Sequence, residues 1–351
     1  MLKTIARPFG WLLMQFYNWT GNYGVAVILF ALVVKLILLP FQMKSKRSMM
    51  QTSRLQPRLK ELEKKHGANK QKYNEEVQKL YREEKINPMS GCIWSLIPFP
   101  ILLALYQAIR EPITAMMGVA QELLSEGGSI ADLLTKTGFV SSVASGKANA
   151  YIQIEQCEWI SRPENFEAFA ALSDKLRQVD YSFLGMNLGQ RPAWNFLWTT
   201  DWSDSKIWLP GLLMFLIPII SALASYFSSK ISMKMNAQDQ TQQQSMGAMF
   251  IMMPLLSLYI GFIMPTALGI YWLISTVLGI VQDVILTKYY TKKMAAEDEV
   301  RNAERAAKEA ELEEKRRETE RKKAENATER NKNTSKRKQA ISERQERLEK
   351  A

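Results

Sequence analysis

The chain has 351 residues, 47% hydrophobic and 23% charged, with a formal net charge of +11 at pH 7. That charge points to an anionic partner: lipid head groups, RNA, or both. Long apolar runs alternate with highly charged stretches, which excludes a uniform soluble domain; two cysteines and one histidine exclude a disulfide scaffold and a histidine-rich metal site.

The first residues, 1–22, carry no cleavable signal pattern. They read as an external amphipathic helix lying at the membrane interface, with Phe9, Trp11, Leu12, Phe16 and Trp19 as anchors. A first transmembrane span is expected over 23–43. Its apolar run, Val25–Met43, is interrupted by one cation, Lys35. A run of this length crosses a hydrocarbon core of about 30 Å, so Lys35 falls near mid-membrane. An ammonium there costs about 2.5 kcal/mol or more. Two readings are open: a stem that snorkels to an interface about 12 Å away, or a wet, polar site inside the membrane.

Residues 44–91 follow as a cytoplasmic helical hairpin. Leu55, Leu59 and Leu62 share one face, and Tyr73, Val77, Leu80 and Tyr81 another. The break falls at His66-Gly67-Ala68-Asn69, with Gly67 as stop and Asn69 as N-cap. His66 thus sits in a turn, and a metal or catalytic role is not expected. Further spans are expected over 92–109, 208–227, 246–264 and 268–287, the last two joined by Pro265-Thr266-Ala267. Between the second and third lies a large external loop, 110–207, with a tryptophan-rich exit. A short cytoplasmic loop, 228–245, follows the third span. The tail, 288–351, is basic and cytoplasmic; Glu297–Lys323 favours helix, and Asn326–Ser335 reads as disordered.

Lysine and arginine set the orientation. The 44–91 loop and the tail are rich in them, whereas the N-terminal stretch holds only Lys3 and Arg7. The N-terminus is therefore expected outside and the C-terminus in the cytoplasm, in agreement with five spans. Cys92 and Cys157 then fall on opposite sides, and no disulfide is expected between them.

Polar residues within the spans line up. Trp272, Ser275, Gly279 and Gln282 form one helical stripe, Ser221, Ser225 and Ser228 another, and Lys35 and Gln42 share a face. Gln107 lies near the outer end of the second span. Each stripe alone is ordinary packing glue; together with a mid-membrane cation they favour a hydrophilic pocket open to the cytoplasm. The sequence contains no nucleophile–histidine set, phosphate loop or HExxH, so a non-enzymatic protein without cofactor or metal is expected.

The ordered motifs resemble the YidC/Oxa/Alb membrane protein insertases. They are Asn22-Tyr23-Gly24 leading to Lys35 and Pro40; Leu55-Gln56-Pro57; Asn87-Pro88 with Gly91-Cys92; Pro98–Tyr106; and Met264–Trp272 with Gln282. The chain looks like the short bacterial form, without the large external domain of Gram-negative members and with a longer loop between spans two and three. The resemblance implies an all-α polytopic fold of five transmembrane helices around a hydrophilic groove, plus the cytoplasmic hairpin. It implies an insertase and chaperone that receives nascent hydrophobic segments from the cytoplasm and releases them sideways into lipid. The groove charge of the family, usually arginine, corresponds to Lys35. Lysine keeps the charge but not the planar fork.

Expected partners are nascent membrane proteins, the lipid bilayer, the ribosome with its RNA, and the Sec translocon as a further candidate; a monomer in the bacterial plasma membrane is expected. Ribosome contact is assigned to Arg316, Arg317, Arg321, Lys322, Lys323, Lys336, Arg337 and Lys338. A small anionic-solute transporter and a passive ribosome anchor are the alternatives. No inverted repeat supports the first, and the second leaves Lys35 without a role.

Overall fold

The computed structural model describes residues 2–84, 86–87, 98–142, 149–235, 252 and 254–349. Two units divide the chain, Met1–Thr287 and Lys288–Ala351. In the first, α1 (Leu2–Thr20) is amphipathic and contains Pro8 in its second turn. Trp11 and Trp19 are exposed as interface anchors should be, but Phe16 is only 7% exposed, and Phe9 and Leu12 pack against the core. Three of the five expected anchors therefore face protein. The reason is that α1 has a partner the sequence did not announce: it packs on α5 (Pro98–Arg110) and on a π-helical turn, Pro112–Met116.

Asn22 caps α2 (Tyr23–Arg54), its side chain accepting from the Val25 N–H at 3.0 Å. The helix runs through Pro40 and ends a full turn or more beyond the expected span. It buries Ala26, Phe30 and Val34 and leaves Leu32, Leu36 and Ile37 exposed, so one face meets protein and the other is apolar enough for lipid. Leu55 breaks the chain into α3 (Gln56–His66), and Asn69 caps α4 (Lys70–Glu83) by accepting from the Lys72 N–H, as expected. Arg58 pairs with Glu84 at the open end of this hairpin. Buried apolar area in it is small: Leu55 and Leu80 are its buried apolar residues among those described.

The segment 110–207, expected as an external loop, is no plain loop. It contains α6 (Gln121–Leu124), α7 (Ser129–Lys136), α8 (Ile152–Ile160), α9 (Pro163–Ala170), the antiparallel strands β1 (Ser182–Phe183) and β2 (Met186–Asn187), and α10 (Phe196–Thr199). Leu184 and Gly185 both have positive φ, 52° and 78°, the geometry of a two-residue hairpin turn, for which glycine suits the second position. Ile130, Ile154, Ile160, Phe169 and Leu188 form its core. Short helices of this kind lack the periodicity that marks a long one, so sequence reading left the segment irregular.

The third expected span lies within α11 (Ser205–Met235), which tolerates Pro210 and Pro218. After it come α12 (Pro254–Ile263) and α13 (Thr266–Glu349). By length and composition α2, α11 and α13 can each cross a membrane. Residues 92–97 of the expected second span, and 246–251 and 253 of the fourth, lie outside the described residues, as do Cys92 and residues 236–245 of the short loop.

The second unit, from Lys288, is helical to Glu349. That includes Asn326–Ser335, expected to be disordered. Upstream, the helix carries Asp298–Arg301, Glu311–Lys315 and Glu313–Arg317 ion pairs at 2.7, 2.5 and 3.1 Å. Pairs of this spacing add about 0.3–0.5 kcal/mol each. With Ala, Glu, Lys and Arg throughout, propensity and charge spacing sustain the helix without a packing face.

Candidate functional site

Lys35 is half-buried, and its reach is specific. A Cβ placed on Gly279 would lie 3.2 Å from Lys35 Nζ. The ammonium therefore rests against the backbone of the fifth span, where the absent side chain leaves room. This joins the first-span cation to the stripe Trp272, Ser275, Gly279, Gln282. Trp272, Ser275 and Gln282 are all half-buried, and Gln282 has its Nε2 buried without a hydrogen-bond partner among the described residues. Buried amide donors normally find partners, so this one is an exception. The opposite face of the same helix presents Val277, Val281 and Ile285, all exposed and apolar. Polar inward and apolar outward is the arrangement a groove beside lipid requires.

Other spans contribute. Ser221 is 3% exposed with its hydroxyl unpartnered among the described residues. One turn earlier, Ile217 approaches Gly269 and Pro218 approaches Gly261, so α11 touches both α13 and α12. Ser257 on α12 is likewise buried with an unpartnered hydroxyl; sequence reading passed over it, because a single serine in an apolar run forms no stripe. Ser225 is half-buried, and its carbonyl accepts from the Ser229 hydroxyl at 2.9 Å. Gln42 is half-buried on the Lys35 face of α2. Gln107 sits on α5, which packs on α1 and the π-helical turn.

Further along α2 and α13 lies a pair the sequence did not suggest. Lys46 is 5% exposed, and its Nζ lies 2.7 Å from Asp283 Oδ1. Asp283 had a signal, as the one acidic residue in Leu268–Thr287. Lys46 had none, being one of many basic residues with its partner far along the chain.

The 110–207 segment is locked to the apolar helices. Thr266 donates its backbone N–H and hydroxyl to the Gln190 carbonyl, and the Ala267 N–H donates to the Leu188 carbonyl at 3.0 Å. These are among the N–H groups a helix start leaves free. Phe183 lies against Gly24 so closely that a side chain there would overlap its ring. Beneath, burial pushes the Cys157 thiol up to about 12, so it stays a neutral thiol at ordinary pH. Burial also raises the Glu158 carboxyl above the usual range, against the bond it receives from Asn187.

Of the ribosome-contact candidates, Arg316 and Arg317 are exposed on the helix. The side chains of Arg321, Lys322, Lys323, Lys336, Arg337 and Lys338 lie outside the described residues.

The 60Kd inner membrane protein family matches residues 15–293, which include all the expected spans and the 110–207 segment. The chain belongs to this family. It is 27% identical over 299 residues to membrane protein insertase YidC 2 of Listeria innocua, covering 84% of this chain and 74% of that one. The YidC of Caldanaerobacter subterraneus is 27% identical over 296 residues, covering 84% of this chain and 100% of the relative. That of Nitratidesulfovibrio vulgaris is 45% identical over 109 residues, 31% of this chain and 20% of its own. The resemblance carried by the Asn22–Pro40 and Met264–Trp272 motifs is thereby borne out, and the fold is that of an all-α membrane protein of this family.

Proposed function

We propose that the chain is a membrane protein insertase whose groove charge is Lys35. Insertase function is supported by the family and by relatives that carry that name over most of both chains. Nascent membrane proteins are the substrates such a function implies. The groove reading rests chiefly on one observation, the approach of the Lys35 ammonium to Gly279 within the polar stripe of the fifth span. Gln282, Ser221 and Ser257 also carry polar side-chain atoms without partners among the described residues.

The mechanism follows from solvation. A polar flank crossing a full hydrocarbon core meets a high barrier. A wet groove open to the cytoplasm shortens that path, and Lys35 attracts carboxylates in the flank on its way. The hydrophobic part of the substrate leaves sideways, where the exposed apolar faces of α2 and α13 meet lipid. Without a nucleotide site, the energy comes from partitioning, the ribosome and the membrane potential, the last worth about 2.3 kcal/mol per charge per 100 mV. In this reading five spans place the N-terminus outside and the C-terminus in the cytoplasm of a bacterium; the protein acts as a monomer, alone or beside the Sec translocon.

The deciding experiment is site-specific crosslinking to a ribosome-held nascent chain. Crosslinkers at Lys35 and Gln282 should capture it, and one at Val281 should capture lipid. Capture from Val281 alone would remove the groove reading. Thiol reagents applied from outside should label Ser173→Cys and spare Ser53→Cys if the orientation is right.

A further inference from the structure

The stretch 192–200 holds no ionisable residue; Arg191 precedes it and Asp201 follows. Within it Phe196 is 3% exposed, whereas Trp194 and Trp198 are 72% and 77% exposed, and Leu197 is exposed as well. Phe196 holds α10 in place. A Cβ on Gly211 would lie 2.5 Å from its ring, and the ring stacks on Phe215 with centroids 5.7 Å apart. Gly211 and Phe215 are six and ten residues into α11, about 9 and 15 Å along its axis. Both belong to the run 207–229, which has no Asp, Glu, Lys or Arg and is about 35 Å long, enough to cross a hydrocarbon core. So α10 does not stand off from the start of α11. It lies back along the side of that helix, at the level where the uncharged run begins. Ile207 and Leu209, in the first turns of α11, are exposed too.

Single exposed apolar side chains are ordinary, but three within five residues, on a segment seated against an apolar helix, are not. Tryptophan has a large apolar ring and one N–H donor, which suits the layer between head groups and hydrocarbon. The backbone agrees with a shallow position there. The N–H groups of Phe196, Trp198, Thr199 and Thr200 all donate to carbonyls within the same turn, which lowers the cost of leaving water, while so short and irregular a segment is unsuited to the hydrocarbon centre. We propose that residues 194–198 form a membrane-embedded anchor, lying in the interfacial layer beside α11 with Trp194, Leu197 and Trp198 facing lipid. The partner of this surface is the bilayer itself. The anchor fastens the folded 110–207 segment to the membrane as well as to the helices, because the turn between β1 and β2 also meets α11: a Cβ on Gly185 would lie 3.4 Å from Pro210 Cγ.

Spin labels test this on the full chain in liposomes of phosphatidylethanolamine and phosphatidylglycerol. Cys92 is replaced by serine, and Cys157 is buried and stays unlabelled. Labels are placed at Trp198→Cys, at Leu197→Cys and, as the aqueous reference, at Asp174→Cys, which is exposed in the same segment. Collision with a water-soluble nickel chelate should be several-fold lower at 197 and 198 than at 174, and collision with oxygen, which concentrates in lipid, should be higher. Equal nickel collision at 174, 197 and 198 overturns the proposal. Labels that are open to nickel in liposomes but shielded in native membrane vesicles would assign the patch to a protein partner, which overturns it equally. Should Trp198→Cys fail to accumulate, Leu197→Cys decides by the same comparison.

Discussion

Thr266 donates twice to one acceptor, its backbone N–H at 2.8 Å and its hydroxyl at 2.7 Å both reaching the Gln190 carbonyl. The 110–207 segment thereby caps the start of α13, and Thr266 is fully buried where they meet. Thr266→Val removes the hydroxyl bond and keeps the shape. It should lower stability by about 1 kcal/mol. Thermal unfolding in detergent would show this, together with faster hydrogen exchange at the Ala267 amide. An unaltered Ala267 exchange rate would mean the loop does not hold the helix start.

Gly279 has a second test in the opposite sense, by adding atoms. A Cβ at this position meets Lys35 Nζ at 3.2 Å, and a flexible stem moves aside by a few tenths of an ångström. Gly279→Ala should therefore insert substrates nearly normally. Gly279→Leu fills the place of the ammonium and should reduce insertion of acidic-flank substrates up to fivefold, the value of a unit charge pair near 4 Å in water, about 1 kcal/mol. Neutral-flank insertion should change less. Equal losses for both substrates would assign Gly279 to packing alone.

The 110–207 segment should respond to acid through Glu155. Burial pushes this carboxyl up, but bonds from Ser142, Asn149 and Ser141 outweigh burial and hold it below the ordinary value of 4.5. A depressed folded-state value gives stability that is complete above the unfolded value and lost as pH falls through the folded one. Glu158 is shifted upward and acts in the opposite direction, so the useful quantity is the difference between wild type and Glu155→Gln. At neutral pH the variant should be less stable by about 1 kcal/mol, allowing for solvent exposure. The gap should close as pH drops below 4.5; a constant gap would rule out the carboxylate as its source.

The basic tail makes a prediction about salt. Residues 288–351 have almost no apolar face, so any affinity for ribosomal RNA must be largely electrostatic and must fall as salt rises. Deleting Arg301–Ala351 should reduce co-sedimentation with translating ribosomes at low salt and leave the membrane unit folded. Indistinguishable co-sedimentation at every salt concentration would make the tail a solvated extension.

Sequence by itself determined the membrane class and the family, and three of its five expected spans fall in helices long and apolar enough to cross, because apolar length is a local property. It also marked Lys35 and the Trp272–Gln282 stripe, since an isolated cation in an apolar run and a helical period are visible along one segment. It could not pair them. The approach of Lys35 to Gly279, the Lys46–Asp283 ion pair and the hold of Gln190 on Thr266 join residues far apart in the chain, and each partner alone resembles many others of its type. The same limit hid the fold of 110–207 and the burial of Phe16, whose packing depends on neighbours brought together only when the spans assemble. Local hydropathy decides what enters the membrane; long-range packing decides which polar groups meet there, because the cost of leaving them unpaired in a low-dielectric interior is settled only once every neighbour is in place.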